Sequence, residues 1–333
     1  MILRIKLTYD FFVINKFYYI GDNNIGGCMI IRLGYVAISN AISDTSSSPY
    51  TYSEYMNKHN IDKLDSVIKS NLIGLENILK YNVKNNIHFY RMSSKIIPLA
   101  TKDDVKFNYT TKYKQYYERI GKIVNDNNMR VDFHPDQFCV LNSTNKVVFY
   151  NTINILEYHY RLLDMMNIKN KVLVLHVGSG VLGKDNSIKR FVNNFNKLPK
   201  YLQECIAIEN DDKVFNVSDM LKLSSMINVP VVLDYHHFNC NKSDLDIERV
   251  FKSWKGTPKV HFSSPKSKND FRSHNDYINS DDFINFIELI KKYNTDIDIM
   301  IEAKMKDDAL FRLVRELKYK TNYRFIDDTS FIV

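Results

Sequence analysis

The stretch KVLVLHVGSG, residues 171–180, decides the fold. Val172, Leu173, Val174 and Leu175 are apolar on both faces of any strand they form. Such a strand belongs in a parallel sheet covered by helices, not in a sheet with one wet face. Short runs of the same kind recur along the chain: IIRLGYV (30–36), IHFYRM (87–92), MRVDFH (129–134), CIAIEN (205–210), VVLDYH (231–236), KVHFS (259–263) and IDIMIEAK (297–304). Most are followed by residues at helical spacing, such as Leu64, Ile68, Leu72, Leu75 and Leu79, or Phe283, Phe286, Ile287 and Ile290. Eight strand-then-helix units predict an α/β fold, a single-domain (β/α)8 TIM barrel, typically about 250 residues before insertions. The alternative is an open doubly wound sheet. The Gly-x-Gly-x-x-Gly turn of its nucleotide-binding form is missing after the first run.

Composition narrows the class. With 44% hydrophobic and 25% charged residues the chain reads as an ordinary globular protein. Its formal charge of +8 points weakly to a polyanionic partner, because a lysine-rich solvated surface gives the same value. The cysteines, Cys28, Cys139, Cys205 and Cys240, form no Cys-x-x-Cys pair, so a disulfide framework and a thiolate zinc site are disfavoured. A reducing intracellular compartment is the expectation, with no membrane association. Residues 1–28 precede the first run and are treated as an N-terminal appendage without an assigned role, leaving 29–333 as the barrel domain. Residues 40–60, with SDTSSSPYTYS, read as a long loop on the face where barrel enzymes keep their sites.

The strand ends are polar. Read in order they present Tyr35, Arg91, His134, His176, Glu209, Asp234 with His236 and His237, His261, and Glu302. Taken singly, each has a plain reading: His134 and His176 as hydrogen-bonded strand-end histidines, Glu209 as a helix cap, Glu302 as a partner for Lys304. Asp234 is harder to dismiss, since a carboxylate ending so apolar a strand costs several kcal/mol unless compensated. Of His236 and His237, adjacent in sequence, one is expected to point inward. Once a barrel is accepted, all these groups converge on one mouth, and clustered acids repel unless cations hold them. Imidazole with carboxylate suits zinc, manganese or iron. Two or three such ions are usual machinery for phosphate-ester hydrolysis, lowering the pKa of a water and neutralising the phosphate.

At these residues the chain resembles the UV damage endonucleases, DNA-repair nucleases built on a TIM barrel. The resemblance runs from about residue 30 to about 325. It rests on RLGYVAIS (32–39), FYRMSSKIIPLAT (89–101), DFHPDQF (132–138), LHVGSG (175–180), IENDDK (208–213), DYHHFN (234–239), KVHFSSPKS (259–267), RSHNDY (272–277) and MIEAKMKD (300–307). It implies metal ligands His134, His176, Glu209, Asp234, His237, His261, His274 and Glu302, with Glu209 shared between ions; His274 comes from the resemblance alone. It implies catalytic roles for Glu209, His134 and Lys259, the last as a carboxylated lysine giving an extra oxygen ligand; the plain reading of Lys259 is a stem packed on the barrel wall. It assigns Gln137 and Phe138 to the space left by an expelled lesion, Phe138 standing where relatives often have tyrosine. It also implies that Tyr35 contacts the lesion, with Ser39 where some members have asparagine.

Lys95, Lys266, Lys268 and Arg272, in loops after candidate strands, are the expected DNA contacts, with Ser93, Ser94, Ser263 and Ser264 as neutral donors and Lys184, Lys189 and Arg190 as further cations. The expected activity is nicking of double-stranded DNA immediately 5′ to cyclobutane dimers and 6-4 photoproducts, leaving a 3′-hydroxyl and a 5′-phosphate. Manganese is the expected cofactor, with magnesium or zinc as alternatives. A monomer is expected, because an asymmetric lesion needs no symmetric enzyme. An abasic-site endonuclease on the same metal barrel, a metal-dependent sugar isomerase and an inactive DNA-binding module are the rivals. A comparison of UV-irradiated with depurinated plasmid separates the first of these.

Overall fold

The computed structural model describes residues 28–136 and 138–333. All eight runs form strands: β1 (Ile30–Ala37), β2 (Phe89–Met92), β3 (Arg130–Asp132), β4 (Leu173–His176), β5 (Ile206–Glu209), β6 (Val231–Asp234), β7 (Lys259–Phe262) and β8 (Ile297–Ile301). Neighbours pair in parallel in the order β3-β2-β1-β8-β7-β6-β5-β4. The ends of that path meet at one parallel bridge, Phe133 opposite Leu173, where Phe133 N–H donates to Val172 O at 3.2 Å and Val174 N–H donates to Phe133 O at 3.0 Å. The result is a nearly closed TIM barrel. Strand β3 is shorter than its apolar run because Pro135 has no N–H to extend the ladder.

Strand periodicity sorts the side chains into two layers. Ile31, Leu33, Val131, Leu173, Ile206, Val260 and Ile299 point outward and pack beneath the helices in one continuous core. The long helix Ile61–Lys84 buries Leu64, Ile68, Leu72, Leu75, Ile78 and Leu79 there, the stripe expected from its spacing. The inward positions differ. Here the contacts are ionic. Asp298 of β8, fully buried, binds Arg32 of the neighbouring β1 at 2.6 Å and, across the lumen, Arg130 of β3 at 2.8 Å. One layer higher, Lys259 of β7 binds Asp132 of β3 at 2.6 Å, both side chains fully buried. Val174, Ala207 and Val232 fill the far side of the lumen. At Gly34 a Cβ would lie 2.1 Å from Phe89 O, so a side chain there would collide with the backbone of β2.

Two features differ from the sequence reading. The loop 40–60 contains a helix, Tyr52–Lys58, started by a capping box between Thr51 and Glu54. Two further strands, β9 (Arg324–Phe325) and β10 (Ser330–Ile332), form a hairpin whose second strand pairs antiparallel with Ile30–Arg32 of β1. The expected appendage 1–28 lies, except for Cys28, outside the described residues. Among the described residues no helix is long and apolar enough to cross a membrane, and the four cysteines are free.

Removing the Asp298 carboxylate takes the counter-ion from two guanidinium groups, of which Arg130 is the more buried. Asp298→Ala is expected to lower unfolding free energy by about 3–5 kcal/mol, the cost of breaking a buried ion pair from one side. A urea melt reads this, and a loss below about 1 kcal/mol would show the pair to be solvated in practice.

Candidate metal centre

Residues two apart on a strand share a face, so each lumen residue predicts the next one up. Arg130 and Asp132 lead to His134; Val174 leads to His176, Ala207 to Glu209, Val232 to Asp234, Lys259 to His261, and Asp298 with Met300 to Glu302. Six strands thereby deliver imidazoles and carboxylates to the C-terminal mouth of the barrel.

Glu209, 1% exposed, is the centre. Its Oε2 lies 2.6 Å from His134 Nε2 and 3.6 Å from His176 Nε2. Its Oε1 lies 2.7 Å from His261 Nδ1 and 3.8 Å from His237 Nδ1. Glu302 joins from β8, with Oε1 3.2 Å from His261 Nδ1 and Oε2 3.9 Å from His274 Nδ1. Asp234 caps the short helix Tyr235–Cys240, accepting from His237 N–H at 2.7 Å, and places Oδ2 3.6 Å from His237 Nδ1. The adjacent pair divides as expected: His237 faces Glu209, while His236 turns to Arg272 O at 3.2 Å. The eight residues implied as ligands therefore all lie around this mouth.

Electrostatics fit a cation site. Burial acts to raise Glu209, but His261, His176 and His134 outweigh it and hold the carboxyl well below the usual range. Asp234 goes the other way: burial pushes it up, the negative charges of Glu209 and Glu302 add to this, and His237 opposes it. Burial lowers His176 and His261, favouring the neutral imidazole that ligates a metal. Asp234 Oδ2 and His176 Nδ1 are buried with no hydrogen-bond partner, which is costly unless something else satisfies them. Two groups of donor atoms lie mutually within 4.8 Å, His134–His176–Glu209 and Glu209–Asp234–His261–Glu302. Glu209 belongs to both. Nitrogen and carboxylate oxygen donors in this arrangement can hold divalent ions.

Two residues passed over in choosing the site help to build it. Arg91, on β2, donates from Nη1 to Glu302 Oε1 at 2.7 Å and from Nη2 to His261 Nε2 at 2.7 Å. Asp132 holds Lys259, whose amine burial pushes down to about 8 while Asp132 pulls it back up. The signal for Asp132 was its place two residues before His134, on the same face.

Other expected residues fall elsewhere. Tyr35 shares the outward face of Ile31 and Leu33; it is fully buried beneath the helix Ile61–Lys84 and donates to Asn82 Oδ1 at 2.7 Å. Parity thus removes it from the mouth. Ser39 is also buried, its hydroxyl donating to Asp307 at 2.7 Å. Phe138 is 70% exposed; Gln137 lies outside the described residues. Lys95, Lys266, Lys268 and Arg272 are exposed, Lys266 pairing with Asp270 at 3.4 Å and Arg272 with Asp212 at 2.7 Å. Ser93, Ser263 and Ser264 are buried, unlike open phosphate donors. Lys184 pairs with Asp219 at 2.7 Å, and Arg190 is spent on backbone oxygens.

Comparison with known proteins follows from this geometry. A profile of the family "UV-endonuclease UvdE" matches residues 31–330. The chain belongs to the UvdE family of UV DNA damage endonucleases. A UV DNA damage endonuclease of Bacillus cereus (strain G9842) is 38% identical over 301 residues, covering 87% of this chain and 95% of the relative. The crystal structure of SacUVDE superposes with a TM-score of 0.80 at 33% identity, covering 87% of this chain and 98% of that one. Endonuclease IV from Thermus thermophilus shares the fold, with a TM-score of 0.56 at 9% identity, over 86% of this chain and 98% of that one. This UvdE-family chain is thus an endonuclease of UV-damage repair, and DNA is its substrate.

Lys259 supplies a pH test. Its pKa is depressed from 10.5 to about 8 on folding, so between those values the unfolded chain carries a proton that the native chain has shed. The native penalty is full below pH 8 and is relieved as pH rises through that window, so this group makes stability increase with pH. In carbonate-free buffer, wild type is expected to gain on Lys259→Met/Asp132→Asn by up to about 1.4 kcal/mol per pH unit. Parallel stability curves over that window would show an unperturbed lysine.

Proposed function

We propose that this UvdE-family enzyme is metal-dependent and hydrolyses the phosphodiester bond immediately 5′ to cyclobutane dimers and 6-4 photoproducts, leaving a 3′-hydroxyl and a 5′-phosphate. One observation carries the reading: Glu209 is common to two groups of donor atoms at the barrel mouth. His134, His176, Glu209, Asp234, His237, His261, His274 and Glu302 are the proposed ligands, with manganese the first candidate and magnesium or zinc the others. Divalent ions held there would supply Lewis-acid charge for the phosphate and would lower the pKa of a water.

The chain's own groups do the rest. Glu209 offers one oxygen to each donor group, fixing their spacing. Arg91 holds Glu302 and His261 in register from below. Phe138, exposed at the rim, and Gln137 beside it fill the gap when the lesion leaves the stack. Damage lowers the cost of kinking and unstacking, a few kcal/mol, which is the basis of selection. Lys95, Lys266, Lys268 and Arg272 contact the backbone, Arg272 after releasing Asp212. One copy suffices, because the lesion has no symmetry.

Lys259 is proposed to take up carbon dioxide as a carbamate. A neutral amine is the reactive form, and burial keeps a larger neutral fraction at neutral pH. Isotope-labelled bicarbonate is expected to give a carbamate resonance that Lys259→Met lacks; equal spectra would exclude the modification.

A plasmid assay tests the whole reading. UV-irradiated plasmid should be nicked far faster than untreated or depurinated plasmid. His134→Ala and Glu209→Gln should each lose at least about a hundredfold in rate with the fold and melting transition retained, and with bound metal reduced. Phe138→Ala with Gln137→Ala should instead erode discrimination between damaged and intact DNA. Preference for depurinated plasmid would favour abasic-site cleavage.

A further inference from the structure

The loop after β4 exposes two large aliphatic side chains at the mouth. Val181 is 59% and Leu182 69% exposed. Leu182 has φ of 68°, the left-handed region that a leucine enters only at a cost. A turn with no other duty would place glycine or asparagine there. Glycine stands on either side, at Gly180 and Gly183, yet the strained position carries leucine.

The tip is held firmly. Val181 O accepts from Arg190 Nη2 at 2.6 Å and from Ser187 Oγ at 3.2 Å. Leu182 O accepts from Asn186 Nδ2 at 2.9 Å, and Gly183 N–H donates to Gly180 O at 3.0 Å. Backbone bonds fix the loop while its side chains stay in water. That is preorganisation without a partner inside the molecule.

The same frame reaches the Phe138 loop. Asn142, 1% exposed, donates from Nδ2 to Ser179 O at 2.6 Å and accepts from Ser179 N–H at 3.1 Å. Arg190 Nε donates to Asn142 O at 3.1 Å. The loops following His134 and His176 are therefore tied to one another, and each carries an exposed apolar tip on the C-terminal face of the barrel.

We propose that Val181 and Leu182 form a second wedge of the DNA interface, packing against the bases left unstacked where the damaged duplex kinks. The substrate is the occupant because the tip is continuous with the site that receives it. Aliphatic side chains read no sequence and bind no phosphate; they favour exposed base faces over an intact stack. The wedge thus discriminates by deformability and works together with Phe138. This rests on the lesion-recognition reading above.

The test compares holoenzyme binding to a duplex with one cyclobutane dimer, made uncleavable by a methylphosphonate 5′ to the lesion, with binding to the same duplex undamaged. Wild type, Leu182→Gly and Val181→Ser/Leu182→Gly are used, glycine being at ease at that φ. The double variant should lose about tenfold in affinity for the damaged duplex. Its affinity for the undamaged duplex and its salt slope should not change, since no phosphate contact is removed. Melting should be unchanged or slightly raised. Equal loss on both duplexes, a changed salt slope or undiminished lesion affinity would each overturn the wedge. So would concentration-dependent self-association of wild type that the double variant abolishes, because the patch would then bind a second copy. If wild type itself ignores the dimer, it is the lesion reading that fails.

Discussion

One buried carboxylate sets the terms for the barrel mouth. Glu209 lies within 4 Å of four imidazole nitrogens drawn from β4, β7 and the segments after β3 and β6. In a low-dielectric interior, such an ion must be met on both oxygens or it protonates. Each histidine is therefore constrained twice, by its strand and by the acid. The remaining carboxylates are met differently: Glu302 by the Arg91 guanidinium, while Asp234 keeps one buried oxygen without a hydrogen-bond partner. Such a cluster of carboxylates and imidazoles could hold divalent cations.

The layers below follow the same logic. TIM-barrel lumens are usually filled by Val, Ile and Leu. Here half of the lumen is ionic, yet each charge is answered: Asp298 by two arginines and Lys259 by Asp132. Arg130 also lies over the rings of Phe89 and Trp254, with its guanidinium carbon 5.4 and 5.1 Å from their centroids. Burying ions gives little net stability compared with a packed apolar core. What it provides is register: a one-residue slip of β3 would move Arg130, Asp132 and His134 together into the outer apolar layer.

Much of this was legible in the sequence. The strand count follows from eight runs whose apolar character allows no wet face, and the polar residues closing those runs mark the mouth. His274 is invisible to such reasoning, because it sits in the loop after β7 and reaches Glu302 only through the fold. Tyr35 shows a different limit. It stands within a family motif near a strand end, but strand parity turns it outward, and counting two residues back to Leu33 would have warned of this. Asp132 was hidden because it sits one layer below the rim, although it precedes His134 on the same face. The β9–β10 hairpin left little trace, as strands of two and three residues carry too few positions to show a period.

That hairpin has a consequence for how the barrel comes to be made. The opening half of β1 is bordered on one side by Ser330–Ile332, about three hundred positions later in the chain, and Val333 N–H closes onto Met29 O at 3.1 Å. During synthesis the first strand must wait, its polar edge uncovered, until almost the whole barrel has left the ribosome. Pairings of such sequence separation are slow to form. The nascent chain is thus most exposed to mispairing at its oldest strand, and a chaperone that shields β1 would act there for longest.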